Sequence, residues 1–178
     1  MQTHYPGNVK STGAGTKLNS EWNAATYRGL TMGRSTERDL IQILGQPTWW
    51  EVLEENKSHP ERWFHYDRGG DFPGELVINV ANRSRVILRM TLHPKDLSVQ
   101  EAIKRFGENH VVTRYEFCPG FDEEDSGPIY ENPSGQLRYI EYRKRGIALL
   151  VGDNDKVDYI LYVSEPIGST SSKCQTAG

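Results

Sequence analysis

Apolar positions in this chain recur with two different periods, and the alternation between them lays out its elements. Over 36–45 the spacing is helical. Thr36 stands where a hydroxyl can cap free N–H groups and Asp39 three positions on supplies a carboxylate, while Leu40, Ile41 and Leu44 form one apolar stripe and Gly45 with Pro47 ends the helix. Ser98 and Glu101 form a capping box proper, followed by Ala102, Ile103 and Phe106 and closed by Gly107, so the same cap-to-glycine spacing occurs twice. Elsewhere the period is two. RWFHY (62–66) parallels RYIEY (138–142), and INVANRSRVILRMTL (78–92) aligns without gaps to LLVGDNDKVDYILYV (149–163), each a strand, a polar turn and a second strand.

The recurrence predicts an α+β protein of two tandem units, each a helix followed by antiparallel sheet, with helices on one face of the sheet. The first unit spans 27–95 and the second 96–167. The register between the halves changes from element to element, which places length differences in loops. Residues 1–26 and 168–178 are rich in Gly, Ser, Thr and Asn and poor in apolar side chains, so they read as a flexible leader and a flexible tail.

Residues two apart in a strand share a face. Val86, Leu88, Met90 and Leu92, matched by Val157, Tyr159, Leu161 and Val163, are expected to form the core under the helices with Phe64, Tyr66, Ile140 and Tyr142. The opposite face then collects Trp63, His65, Arg89, Tyr139, Glu141, Arg143, Ile160 and Tyr162. Aromatic residues and arginine dominate protein interfaces, so this face is the expected protein-binding surface. Packing of Trp63 and Tyr139 against the leader, against Trp49 and Trp50, or against each other across the junction of the units would explain the same residues without a partner. A bulge in either strand would exchange the faces.

Composition narrows the function further. At 178 residues, 36% hydrophobic and 25% charged, with 17 Gly, 9 Pro and 9 Tyr, the chain fits a turn-rich globular fold. A net charge of −3 supplies no general attraction to phosphate backbones, so nucleic acid is not an expected partner. No apolar run is long enough to span a bilayer, and MQTHYPGNVK lacks the apolar stretch of a signal peptide. The protein is cytoplasmic if this start is native, or exported if a signal has been trimmed away.

No cofactor and no metal is expected. His4, His59, His65, His93 and His110 lack ligand spacing, and the acidic run Asp122-Glu123-Glu124-Asp125 reads as a solvated loop. Residues 152–158 (GDNDKVD) lack the glycine and terminal glutamate of a calcium loop and read as a hairpin turn. Cys118 and Cys174 are expected as unpaired thiols rather than a disulfide, and Cys118 as a turn residue rather than a nucleophile. The glycines of 67–75 lack a phosphate-loop lysine and read as a connection.

The run GLTMGRSTERDLIQILGQP with its aromatic strand at Trp63 resembles the SmpA/OmlA small lipoprotein fold, and the tandem order resembles β-lactamase-inhibitor-protein-like (BLIP-like) domains. The resemblance covers 29–166. It implies a non-catalytic, protein-binding module of the bacterial cell envelope, periplasmic or secreted, acting on another protein. The chain departs from the lipoproteins in having no lipid-attachment cysteine near its start, so membrane association requires an anchor preceding this chain. Two other readings stay open: an enzyme or small-molecule binder using His65, Glu141 or Cys118 in a cleft between the units, and a structural envelope protein.

Overall fold

A computed structural model describes residues 22–53, 60–67, 71–116, 136–152 and 154–167. Eight strands form one antiparallel sheet, and its order follows from two meanders meeting back to back. They are β3 (Trp49–Leu53), β4 (Glu61–Tyr66), β5 (Gly74–Ala81), β6 (Ile87–Pro94), β7 (Val111–Glu116), β8 (Gln136–Tyr142), β9 (Ile147–Val151) and β10 (Val157–Val163), ordered β3-β4-β5-β6-β10-β9-β8-β7. β1 (Thr26–Tyr27) and β2 (Leu30–Thr31) form a separate hairpin. Two eight-residue helices, α1 (Glu37–Leu44) and α2 (Val99–Phe106), and a short 3-10 turn at Arg143–Arg145 complete the described elements.

This arrangement corrects the expectation of an α+β protein built from two tandem helix-plus-sheet units. The described chain is mostly strand, and β6 pairs with β10 through Ile160↔Leu92 to Val163↔Arg89, so one sheet runs from edge to edge. The inference from repeated local patterns failed because a strand's pairing partner is not written in its own periodicity. Met90, Leu92, Ile160 and Tyr162 lie side by side in a single core cluster with Leu40 of α1 and Ala102 of α2. Burying each large side chain of this kind contributes about 1.5–3 kcal/mol.

Both helices are held at each end by chemistry visible in the sequence. The Thr36 N–H donates to Asp39 Oδ2 at 2.8 Å and the Asp39 N–H returns to Thr36 Oγ1 at 3.4 Å. Ser98 and Glu101 repeat the exchange at 3.2 and 3.3 Å. At the other end, Gly45 (φ +83°) and Gly107 (φ +104°) take a backbone conformation that side chains disfavour. There Tyr66 donates its hydroxyl to the Gly45 carbonyl at 3.1 Å, and Tyr142 donates to the Gly107 carbonyl at 2.8 Å. Each tyrosine thus reaches up from the sheet to satisfy a carbonyl that the helix leaves open. Burial pushes the Tyr66 hydroxyl up to about 12, so it remains a donor throughout the neutral range.

The leader expected over 1–26 is ordered at its end. The Asn23 N–H donates to the Lys144 carbonyl, the Ala25 N–H donates to the Val163 carbonyl, and Ala25 is fully buried. Arg28 and Gly29 both have positive φ, the geometry of a two-residue hairpin turn, and they point Tyr27 edge-on to Tyr162 with ring centres 5.2 Å apart. Leu30 and Met32 follow into the core.

Two measurements test this account. Tyr66→Phe and Tyr142→Phe should each lower unfolding stability by about 0.5–1.5 kcal/mol in denaturant titration, and the losses should add because the two bonds share no partner. Thr36→Ala and Ser98→Ala should each remove about 1 kcal/mol at neutral pH. The Thr36 backbone and side-chain bonds hold Asp39 below the usual carboxylate range, and the Ser98 side-chain and backbone bonds do the same for Glu101. A carboxyl depressed in the folded state stabilises above its unfolded pKa and ceases to as pH falls through the folded one. The gap between wild type and the capping variants should therefore be full at pH 7 and shrink below about pH 4.

Candidate functional site

Six of the eight residues expected on the face away from the helices project that way, and two do not. In β4, Trp63 and His65 alternate with Phe64 and Tyr66 of the helix-side core. Arg89 lies opposite Asn79 and Val163 on the same far face. Tyr139 and Glu141 alternate with Ile140 and Tyr142, and Arg143 follows and bonds to Glu141. Ile160 and Tyr162 are corrections: both are buried under the helices, Ile160 fully and Tyr162 to 3% exposure.

The cause is a bulge. Val157 pairs with Val151 and Tyr159 with Leu150, leaving Asp158 as an extra residue that reverses the alternation beyond it. Tyr159, Leu161 and Val163, expected in the helix-side core, face the other way with Tyr139, Ala148 and Leu150. The same irregularity in β6 pairs Asn79 with Arg89 but Val80 with Ile87, so that Leu88 is the extra residue. Ile87, Met90 and Leu92 are therefore the core residues of that strand, and Val86 and Leu88 are only half-buried.

The far face is divided. Around β8, β9 and β10 it is closed, because Ile167, carried back after β10, joins Tyr139, Ala148, Leu150, Leu161 and Val163 in a second buried cluster. The Tyr139 and Tyr159 hydroxyls are 2.8 Å apart within it. Glu141, wholly buried, accepts from Arg143 Nε at 2.8 Å and Thr113 Oγ1 at 3.0 Å, and the Arg143 guanidinium also donates to Thr113 Oγ1. A carboxylate so buried and paired is not presented to a partner.

Around β3, β4 and β5 the face is partly open, acidic and aromatic. Trp49 stacks on His65, ring centres 3.5 Å apart and planes 9° from parallel. The His65 Nδ1 lies 2.8 Å from Glu75 Oε1, and its Nε2, buried and lacking a hydrogen-bond partner, lies 3.7 Å from Glu51 Oε1. Glu61 accepts from the Trp63 indole at 3.2 Å and from Asn79 Nδ2 at 2.7 Å. The Arg89 guanidinium sits 5.8 Å from the Trp63 ring centre, close enough for cation–π attraction. Side chains of Glu51 and Glu75 are each 44% exposed, so this patch offers carboxylate oxygens to solvent.

The adjoining sheet edge was missed in the sequence. Trp49, Trp50 and Val52 of β3 are 46%, 51% and 38% exposed. Trp50 and Val52 share the helix side with their pairing partners Phe64 and Arg62, and the Arg62 guanidinium, clamped by both Glu37 oxygens, lies 4.4 Å from the Trp50 ring centre. Two consecutive tryptophans guarantee that one lies on each face of any strand, a signal that was available without a structure.

Two cavities, about 500 and 400 Å³, flank α2. Among their charged residues Lys156 bonds Asp96, whose carboxyl this bond holds below the usual range, Arg138 bonds Asp155, and Glu101 caps α2. Neither is lined by histidine or cysteine among the described residues. His93, exposed on the far face, has its pKa lowered by desolvation and lies edge-on to Tyr159. Among the described residues no cluster could hold a metal ion. Cys118, Cys174, His4, His59 and the acidic run at 122–125 fall outside the described residues.

No protein-family model matches the chain, and no curated protein matches it. Among solved structures it is similar to a DUF4309 family protein (YjgB) from Bacillus subtilis, at 13% identity and a TM-score of 0.46, over 80% of this chain and 88% of that one. It is also similar to an extracellular protein containing an SCP domain from Bacillus anthracis, at 9% identity and a TM-score of 0.41, over 92% of this chain and 49% of that one. The chain thus spans about half the length of the second protein. Neither is named as a member of the families that the sequence resembles.

Proposed function

We propose that this protein is a non-catalytic protein-binding module whose contact surface is the open half of the far face together with the β3 edge. The observation that carries the reading is the exposure of Trp49, Trp50 and Val52 beside the carboxylates of Glu51 and Glu75. Tryptophan exposed by half on an ordered strand leaves a large apolar area in water, and covering it by a partner is the favourable outcome. The indoles are also preorganised, Trp49 by the His65 ring and Trp50 by the clamped Arg62, so little side-chain freedom is lost on binding. Compared with the sequence-based surface, Trp63, His65 and Arg89 stay in the proposal as the floor of the patch. Tyr139, Glu141, Arg143, Ile160 and Tyr162 leave it.

An envelope-associated or secreted location belongs to the same proposal and is supported by the sequence resemblance. Among the described residues no helix is long and apolar enough to cross a membrane. The test is site-specific photo-cross-linking in the source cells, with the reactive group placed at Trp49 and, as control, at Arg83 in the exposed turn before β6. A discrete partner cross-linked from position 49 and absent from position 83 is expected. Truncation of Trp49 to alanine should then weaken the purified complex by about 2 kcal/mol, roughly 30-fold in Kd. Identical products from both positions would overturn the proposal.

A further inference from the structure

The edge strand β3 has a feature that the exposed tryptophans alone do not explain. Edge strands of natural sheets are usually guarded by lysine, proline, a bulge or a covering segment, since their unpaired N–H and C=O groups would otherwise recruit another strand. β3 reads WWEVL, holds five consecutive pairs with β4 without a register shift, and pairs among the described residues with β4 alone. Its one charged residue, Glu51, lies at the centre of the strand on the far face, opposite Trp63.

From this, resting on the protein-binding reading above, we infer that β3 takes an extended peptide segment of its partner as a ninth strand, one carrying a lysine or arginine beside Glu51 flanked by apolar residues beside Trp50 and Val52. The alternation follows from the pleat: a residue of the incoming strand next to Glu51 points to the far face, and its neighbours point to the helix side. Charge selects the central residue. Glu51, Glu61 and Glu75 occupy successive strands on that face, and the Glu51 carboxylate is 44% exposed, with the His65 Nε2 3.7 Å away. A cationic side chain would place its charge against the one carboxylate of the three that accepts no hydrogen bond among the described residues. A second copy of β3 is disfavoured by the same residue, because antiparallel pairing centred on Glu51 sets two like charges directly opposite. At the other edge strand, β7, Val111 and Val112 are exposed, and the far-face carboxylate of the neighbouring strand β8, Glu141, is already bonded by Thr113 and Arg143.

The experiment is selection of random octapeptides displayed on phage against the full chain, followed by amide hydrogen exchange with the winning peptide. Enriched peptides should alternate apolar residues around one lysine or arginine, and binding should slow exchange across Trp49–Leu53. Glu51→Gln should weaken the winning peptide by up to about fivefold, the range of an exposed ion pair, and Glu51→Lys should select acidic peptides in place of basic ones. Peptides without a basic preference, no slowing of exchange in β3, or dimers of the free chain that form through β3 would each overturn the strand-addition inference. If binding survives Glu51→Lys unchanged but is lost in Trp49→Ala, strand addition fails and the interaction surface stands. If no peptide is enriched over empty beads and cross-linking from position 49 also yields nothing specific, both fail together.

Discussion

The pairing of β6 with β10 governs the rest of the molecule. Those two strands end separate meanders, and their four aligned pairs from Ile160↔Leu92 to Val163↔Arg89 turn two small sheets into one. A four-stranded sheet with an eight-residue helix has little interior of its own. Joined, the strands bring Met90, Leu92, Ile160 and Tyr162 to the middle of a core in which none of them meets water appreciably. The position of each helix follows, since each apolar stripe must lie over its own meander on the same side. The β1–β2 hairpin, with Tyr27 against Tyr162, joins the helix-side layer above β10. Gly146 belongs to this constraint too: a Cβ there would stand 2.9 Å from both the Ala25 nitrogen and the Val163 carbonyl, where the segment before β1 crosses the end of β10.

One continuous sheet also has one continuous far face, and its fate differs between the halves. Over β8 to β10 the exposed side would have carried Tyr139, Leu150, Leu161 and Val163, too apolar to leave in water, and the return of the chain to Ile167 buries them. Over β3 to β5 the corresponding positions include Glu51, Glu61 and Glu75, whose carboxylates water solvates at little expense. The polar half can therefore remain open without destabilising the fold. A surface is free to serve recognition only where the fold does not require it to be covered, and that condition is met at the β3 end.

What the sequence disclosed divides along the same physical line. Helix caps, helix stops and strand alternation are written within ten residues of where they act, and Thr36, Ser98, Gly45 and Gly107 stand in the structure as caps and stops. Features set by distant partners were not readable. The β6–β10 pairing joins residues far apart in the chain, and nothing in either strand names the other. The bulge at Asp158 is a one-residue event, yet it moved Tyr159, Leu161 and Val163 to one face and Ile160 and Tyr162 to the other. The gapless match of 78–92 to 149–163 was one residue out in its last strand, because Met90 is the neighbour of Tyr162 and shares its face, whereas Leu161 does not. Of the candidate surface, Trp63 and His65 were legible because β4 pairs without a register shift, and Arg89 because it alternates with Met90 and Leu92 on the far side of the bulge at Leu88.

The edge tryptophans bring local and distant constraints together. A strand in the middle of this sheet has its polar backbone satisfied on both sides, so its side chains alone decide what it contacts. At β3 one side of the backbone is satisfied by β4, and the other has no pairing strand among the described residues. Evolution's usual answer is to place charge or proline there and keep large apolar groups away. Here the strand presents Trp50 and Val52 on one face, Trp49 and Glu51 on the other, with His65 and Arg62 holding the indoles in fixed orientation from the strand behind. Rigid indoles are unfavourable in water and favourable against a second surface, and a single carboxylate between them opposes self-association while leaving a basic partner free to approach. The arrangement has a physical rationale as the recognition edge proposed above.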